Sequence, residues 1–109
     1  MEKLKAIKEL LESKKAENIV VLDVSRLTNI ADFFIVASAT SPVHARALAE
    51  HLTEEMEKIG YPPDHIEGKE FGNWILVDFI DVIVHIFTPE WRERYGIEWI
   101  WTEAQRVEL

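Results

Sequence analysis

A chain of 109 residues, 48% hydrophobic and 29% charged, is long enough for one buried core and too apolar to remain disordered. It contains no cysteine, which excludes disulfides, thiolate zinc sites and a cysteine nucleophile. The net charge of -8 repels phosphate backbones, disfavours direct sequence-specific nucleic-acid binding and favours a basic partner.

The charge is uneven. Residues 61–88 set Lys69 alone against Asp64, Glu67, Glu70, Asp78 and Asp81, half of the acidic excess. No apolar stretch follows the first basic residues, and no run reaches the roughly 18 apolar residues of a membrane span. The expectation is a soluble cytoplasmic protein of a single domain, residues 1–109, with no membrane contact.

In chain order, Leu4, Ile7, Leu10 and Leu11 form a narrow apolar stripe that predicts a helix over residues 2–16. Ile19–Leu22 and Phe33–Ala37 are short apolar runs, many of them β-branched or aromatic, and predict two buried strands. Ser41 as N-cap and Pro42 at the first helical position open a second helix. Its apolar face carries Ala45, Leu48, Ala49, Leu52, Met56 and Ile59, and Gly60 ends it before Pro62 and Pro63.

A short segment at Ile66 and Glu67 precedes two dense runs, Trp74–Phe79 and Val82–Phe87, joined by Ile80 and Asp81 with hairpin spacing. Pro89 begins a last helix that Gly96 interrupts. The fold class is α/β, a mixed sheet of about five strands with three helices.

Little in the chain points to catalysis. His44, His51, His65 and His85 have no metal-ligand spacing; His44 and His51 stand ~10 Å apart on a helix, and His85 reads as a half-buried, hydrogen-bonded side chain. There is no Asp-x-Asp pair for a phosphoryl-transfer metal, no glycine-rich phosphate loop and no nucleophile elbow around Ser41. No cofactor or metal is expected.

The aromatic load is more telling. Trp74 alternates with Leu76 and Asp78, and Ile75 with Val77 and Phe79, so both faces of that strand are apolar. If three helices cover one sheet face, part of the other stays apolar and exposed with Trp74 on it; otherwise Trp74 is simply core. A tryptophan in an uncovered apolar patch with acids around it has the composition of an interface hot spot. Trp99 and Trp101 are expected to pack back onto the sheet or to join a dimer contact.

The run Asn73-Trp74-Ile75-Leu76-Val77-Asp78-Phe79, followed by Asp81-Val82-Ile83-Val84-His85-Ile86-Phe87, resembles the signature of the ribosomal silencing factor family, also called RsfS or Iojap-like. Asp32 through Ser41, His44, the Glu67-Gly68 pair, and Tyr95, Glu98 and Trp101 match its other motifs in order, from about Asn18 to Trp101. The resemblance implies a fold related to the nucleotidyltransferases but without their catalytic carboxylates, and no enzyme activity. It implies binding to the large ribosomal subunit through ribosomal protein L-fourteen, a basic protein of the subunit-joining face, so that the small subunit is blocked and translation repressed. Organellar members imply a part in large-subunit assembly.

On this reading Trp74, Ile75 and Asp78 are the contact residues, Glu67 and Asp81 supply acidic complementarity, and His85 and Tyr95 are further candidates. A homodimeric scaffold using the same face, and a degenerate nucleotide binder at the Thr40-Ser41 turn with Asp78, are the alternatives. The family usually has glycine where this chain has Ile80, so Ile80 is either in a turn of another type or strained.

Overall fold

A computed structural model describes residues 2–109. The order is α1 (Glu2–Ser13), β1 (Glu17–Asp23), β2 (Phe33–Ser38), α2 (Pro42–Lys58), β3 (His65–Glu67), β4 (Trp74–Asp78), β5 (Val82–Phe87), α3 (Pro89–Tyr95), the single-turn α4 (Ile97–Ile100) and β6 (Gln105–Arg106). The strands form one six-stranded mixed sheet in the order β3-β4-β5-β2-β1-β6. β2 and β5 run parallel; the other neighbours are antiparallel.

The expected elements are present, with corrections at the ends. Helix α1 stops at Ser13, three residues short of expectation, where Lys15 turns the chain with φ +65°. Ile59 is the C-cap of α2 and 55% exposed, so it does not belong to that helix's core face. The sixth strand, β6, has two polar residues and no periodic signal to announce it.

The α2 start forms as expected. The Ser41 Oγ accepts the His44 N–H at 3.1 Å, and Pro42 opens the helix. His44 Nδ1 accepts the Thr40 N–H at 2.9 Å, so its Nε2 carries the proton and donates to the Lys14 carbonyl at 2.8 Å. The ring pins the end of α1 to the β2–α2 turn.

Both long helices cover one face of the sheet. Leu4, Ile7 and Leu11 of α1 and Ala45, Leu48, Leu52 and Met56 of α2 pack on Ile35, Ala37, Ile75, Val77, Val84 and Ile86. The other face holds a second cluster, Leu22, Phe34, Val36, Ile83 and Phe87, covered by Val24, Ala31 and Ile97 and by the half-buried Trp91, Trp101 and Ala104. The central β5 is buried along its whole length, which is why it reads as an unbroken apolar run.

The β4–β5 turn answers the question of Ile80. The Asp81 N–H bonds back to the Phe79 carbonyl at 3.1 Å, and Ile80 between them has φ +77°. This is the rare γ-turn of positive φ, so the turn is both of another type and strained. Surrounding bonds hold it. The Asp78 carboxylate accepts the Ile80 N–H at 2.7 Å, and the Asp81 carbonyl accepts the N–H groups of Asp32 and Phe33. The Lys3 ammonium donates to the Phe79 carbonyl at 3.1 Å and to the Asp81 carboxylate at 2.6 Å.

Ile80 is 68% exposed, so replacing it loses little packing. Ile80→Gly removes roughly 1–2 kcal/mol of backbone strain and adds back under about 1 kcal/mol of unfolded-chain entropy. Urea unfolding of this variant should show a net gain of roughly 0.5–1 kcal/mol; a net loss would mean that the isoleucine is not strained.

Candidate docking site

The second sheet face is only partly covered at its β3–β4 end, where Trp74 and Leu76 are half-buried. Residues paired across antiparallel strands share a face, and the register sets His65 opposite Asp78 and Glu67 opposite Leu76. With Trp74 they form one surface. Glu67, Gly68, Trp74 and Leu76 line a shallow groove of about 230 Å³. Gly68 has φ +84°, and a Cβ there would collide with the Trp74 carbonyl oxygen, so only glycine lets the chain turn this close to β4.

Trp74 is held from behind. Its indole stacks on Phe87 at 5.2 Å between ring centroids and meets Tyr95 at 4.5 Å. Tyr95 stacks in turn on Trp91 at 5.4 Å. The indole N–H donates to His85 Nδ1 at 3.1 Å, which fixes the ring's rotation. The outer side of a half-buried Trp74 therefore stands at the groove in a set orientation, with its polar atom already satisfied.

The acids lie beside this groove. His65 places its Nε2 2.8 Å from the Glu67 carboxylate and its Nδ1 3.3 Å from Asp64 and 3.5 Å from Asp78. Hydrogen bonds to Glu67 and Asp64, with the nearby Asp78 charge, raise the His65 pKa above the ordinary value. Its stabilising effect is complete below about pH 6.5 and is lost as the pH rises through the raised value. Atoms of Asp64, His65 and Asp78 all lie within 4.8 Å of one another, as metal ligands do. Both ring nitrogens, however, already face carboxylates.

The expected contact residues do not all reach this surface. Trp74, Asp78 and Glu67 share it, and Tyr95 adjoins it, 42% exposed. Ile75 does not. It is fully buried on the opposite face against the α1–α2 layer, because alternation along β4 turns it away from Trp74. His85 is also buried and lies behind Trp74, so it supports the surface without meeting a partner. The Asp81 carboxylate sits at the turn against α1, neutralised by Lys3.

Leu76 in the groove and His65 beside it were not singled out from the sequence as contact residues. Leu76 is two positions from Trp74 on the same strand, a signal that was available. His65 gains its role only from the β3–β4 register. At the far end of the sheet, Trp101 does pack back, edge-to-face on Phe34 at 5.2 Å, whereas Trp99 is 80% exposed.

A family model, ribosomal silencing factor during starvation (RsfS), matches residues 1–109. The chain belongs to the ribosomal silencing factor family. The ribosomal silencing factor RsfS of Halalkalibacterium halodurans is 35% identical over 99 residues, 91% of this chain and 85% of that one. A crystal structure from Chromobacterium violaceum superposes with a TM-score of 0.90 at 36% identity, covering 99% of this chain and 89% of that one. The mouse mitochondrial assembly of ribosomal large subunit protein 1 is 33% identical over 96 residues, 85% of this chain and 42% of its own length. The family is named for a regulator of ribosomes and for no reaction, and among the described residues no helix is long and apolar enough to cross a membrane.

His85 contributes to the acid sensitivity of the fold. Burial lowers its pKa to about 4, and its Nε2 is buried without a partner. A depressed histidine leaves its contribution intact above about pH 6.5, and the contribution is lost as the pH falls to about 4, on the order of 3 kcal/mol in all. Urea unfolding at pH 7 and 4.5 should therefore show His85→Gln losing less stability on acidification than the parent protein; equal losses would mean that His85 titrates normally.

Proposed function

We propose that this protein binds the large ribosomal subunit through the Trp74 face and there blocks joining of the small subunit, repressing translation. The partner is ribosomal protein L-fourteen, basic and located on the subunit-joining face, as the family resemblance implies. The observation that carries the reading is the groove itself: a rigidly held tryptophan and Leu76, both half-buried and edged by Glu67 and Asp78, on the sheet face opposite the α1–α2 layer. Family membership supports it, and so does the mouse relative, named for assembly of the ribosomal large subunit.

Binding here is a matter of surface complementarity. Basic groups on the partner meet Glu67, Asp78 and Asp64 and speed the encounter. The apolar surface of Trp74 and Leu76 is then removed from water, and Tyr95 extends it. Bound to that ribosomal protein, this chain excludes the small subunit by occupying its docking position, so no chemical step is required. The protein acts in the cytoplasm, where the subunits are. A role in large-subunit assembly uses the same contact at an earlier stage.

Co-sedimentation with separated ribosomal subunits tests this reading. The protein should pellet with the large subunit and not with the small one, and subunit joining should fall in the same mixture. Trp74→Ala should keep the fold and weaken large-subunit binding by about 2 kcal/mol or more. Ile75→Ala, by contrast, should cost about 3 kcal/mol of folding stability through the cavity it leaves, with binding unchanged in the folded fraction. Full binding by a folded Trp74→Ala protein, or pelleting with isolated ribosomal RNA as strong as with the subunit, would contradict the assignment.

A further inference from the structure

Among the described residues, His65 is the one side chain set between the acids of this face that can carry a positive charge. Both of its ring nitrogens are directed at carboxylate oxygens, Nε2 at Glu67 and Nδ1 at Asp64 and Asp78, at 2.8, 3.3 and 3.5 Å. A neutral imidazole has one donor and one lone pair, so it would point that lone pair at a negative oxygen. The imidazolium, with two donors, fits the arrangement. β3 is an edge strand whose only sheet neighbour is β4, and the charged groups around the ring are Asp64 before β3, Glu67 on β3 and Asp78 on β4. The ring is nearly half exposed and is not wedged into the core.

These carboxylates adjoin the Trp74–Leu76 groove, with Asp78 two residues beyond Leu76 on the same face of β4. Glu67 both lines the groove and accepts from His65. An arriving lysine or arginine side chain has the shape this place fits: an aliphatic stem to lie on Leu76 and the Trp74 ring, and a charged head to reach Glu67 and Asp78. It would need the oxygens that His65 now holds.

We infer that His65 sets the affinity of this docking face, as an internal cation that a lysine or arginine of the protein partner displaces from Glu67 and Asp78. The inference rests on the docking reading above and adds to it the partner's side-chain class and the competition. Two consequences follow from charge and geometry. While His65 carries its proton, the three carboxylates are partly neutralised and their oxygens occupied. Once the proton leaves, the face gains one negative charge and frees its acceptors. Docking therefore expels the His65 proton, and the partner binds more tightly as the pH rises. The carboxylates around the ring hold its pKa above the ordinary histidine value, which moves this exchange upward in pH. The other histidines lie elsewhere: His44 donates to the Lys14 carbonyl, His51 meets Ser13, and His85 is buried behind Trp74.

The test is co-sedimentation of the full chain with purified large ribosomal subunits at fixed ionic strength, from pH 6 to pH 8. The parent protein should bind more tightly at pH 8, with Kd falling roughly three- to tenfold over the range and by no more than about tenfold per pH unit for one proton. His65→Gln should be nearly flat with pH and should bind at pH 6 about as the parent binds at pH 8. His65→Lys, which keeps a positive charge at every pH tested, should be flat and weak. A pH slope that survives in His65→Gln, or a His65→Lys protein that binds like the parent at pH 8, overturns the inference while leaving the docking reading in place. No pelleting of the parent with the large subunit at any pH overturns the docking reading, and this inference with it.

Discussion

A six-stranded sheet presents two faces to water, and this chain places both of its long helices on the same one. That asymmetry governs the rest of the molecule. The α1–α2 layer completes a core on the first face, with Ile75, Val77, Val84 and Ile86 beneath it. The second face is shielded by α3, the single turn of α4, Trp101, Ala104 and residues Val24 and Ala31 of the β1–β2 connection, and α3 reaches β4 through Tyr95 against Trp74. The β3–β4 end is left with Trp74 and Leu76 half in water. Exposed apolar area of this kind is costly unless something else buries it.

What surrounds this end makes it suited to one class of partner. Phe87, Tyr95 and the His85 bond hold Trp74, so its ring is ordered before any encounter and little rotamer freedom is lost on binding. Gly68 lets the chain turn flush against β4 and keeps the groove open. Asp64, Glu67 and Asp78 give the rim its sign, and His65 moderates it. The order of causes runs from register to function. The β3–β4 pairing brings residues from two strands to one surface, the surface has an apolar floor and an acidic edge, and that combination selects a basic protein over nucleic acid.

Periodicity made most of the architecture readable. The stripe of α1, the capped start of α2 and the unbroken apolar runs of β2 and β5 each have a local signal, and each element formed where that signal lay. The polar pair Gln105–Arg106 had none, and neither did the end of α1 at Ser13. The site was less legible for a definite reason. β4 is apolar on both sides, so alternation separates Trp74 from Ile75 without saying which side the helices take. Ile75 consequently proved to be core, while Leu76, beside Trp74, lay at the groove. Asp81 and His85 were similarly misjudged, because pairing with Lys3 and burial behind an indole are tertiary facts. His65 joined the site only through its register with Asp78.

The central claim is that the Trp74 face, and not the α1–α2 face, meets the large ribosomal subunit. A photo-crosslinking amino acid placed at position 76, with a matched probe at the exposed Glu54 on α2, tests it most directly. Illuminated with large ribosomal subunits, the probe at 76 should capture a basic ribosomal protein and the probe at 54 should capture none. Capture from 54 with silence at 76 would contradict the account.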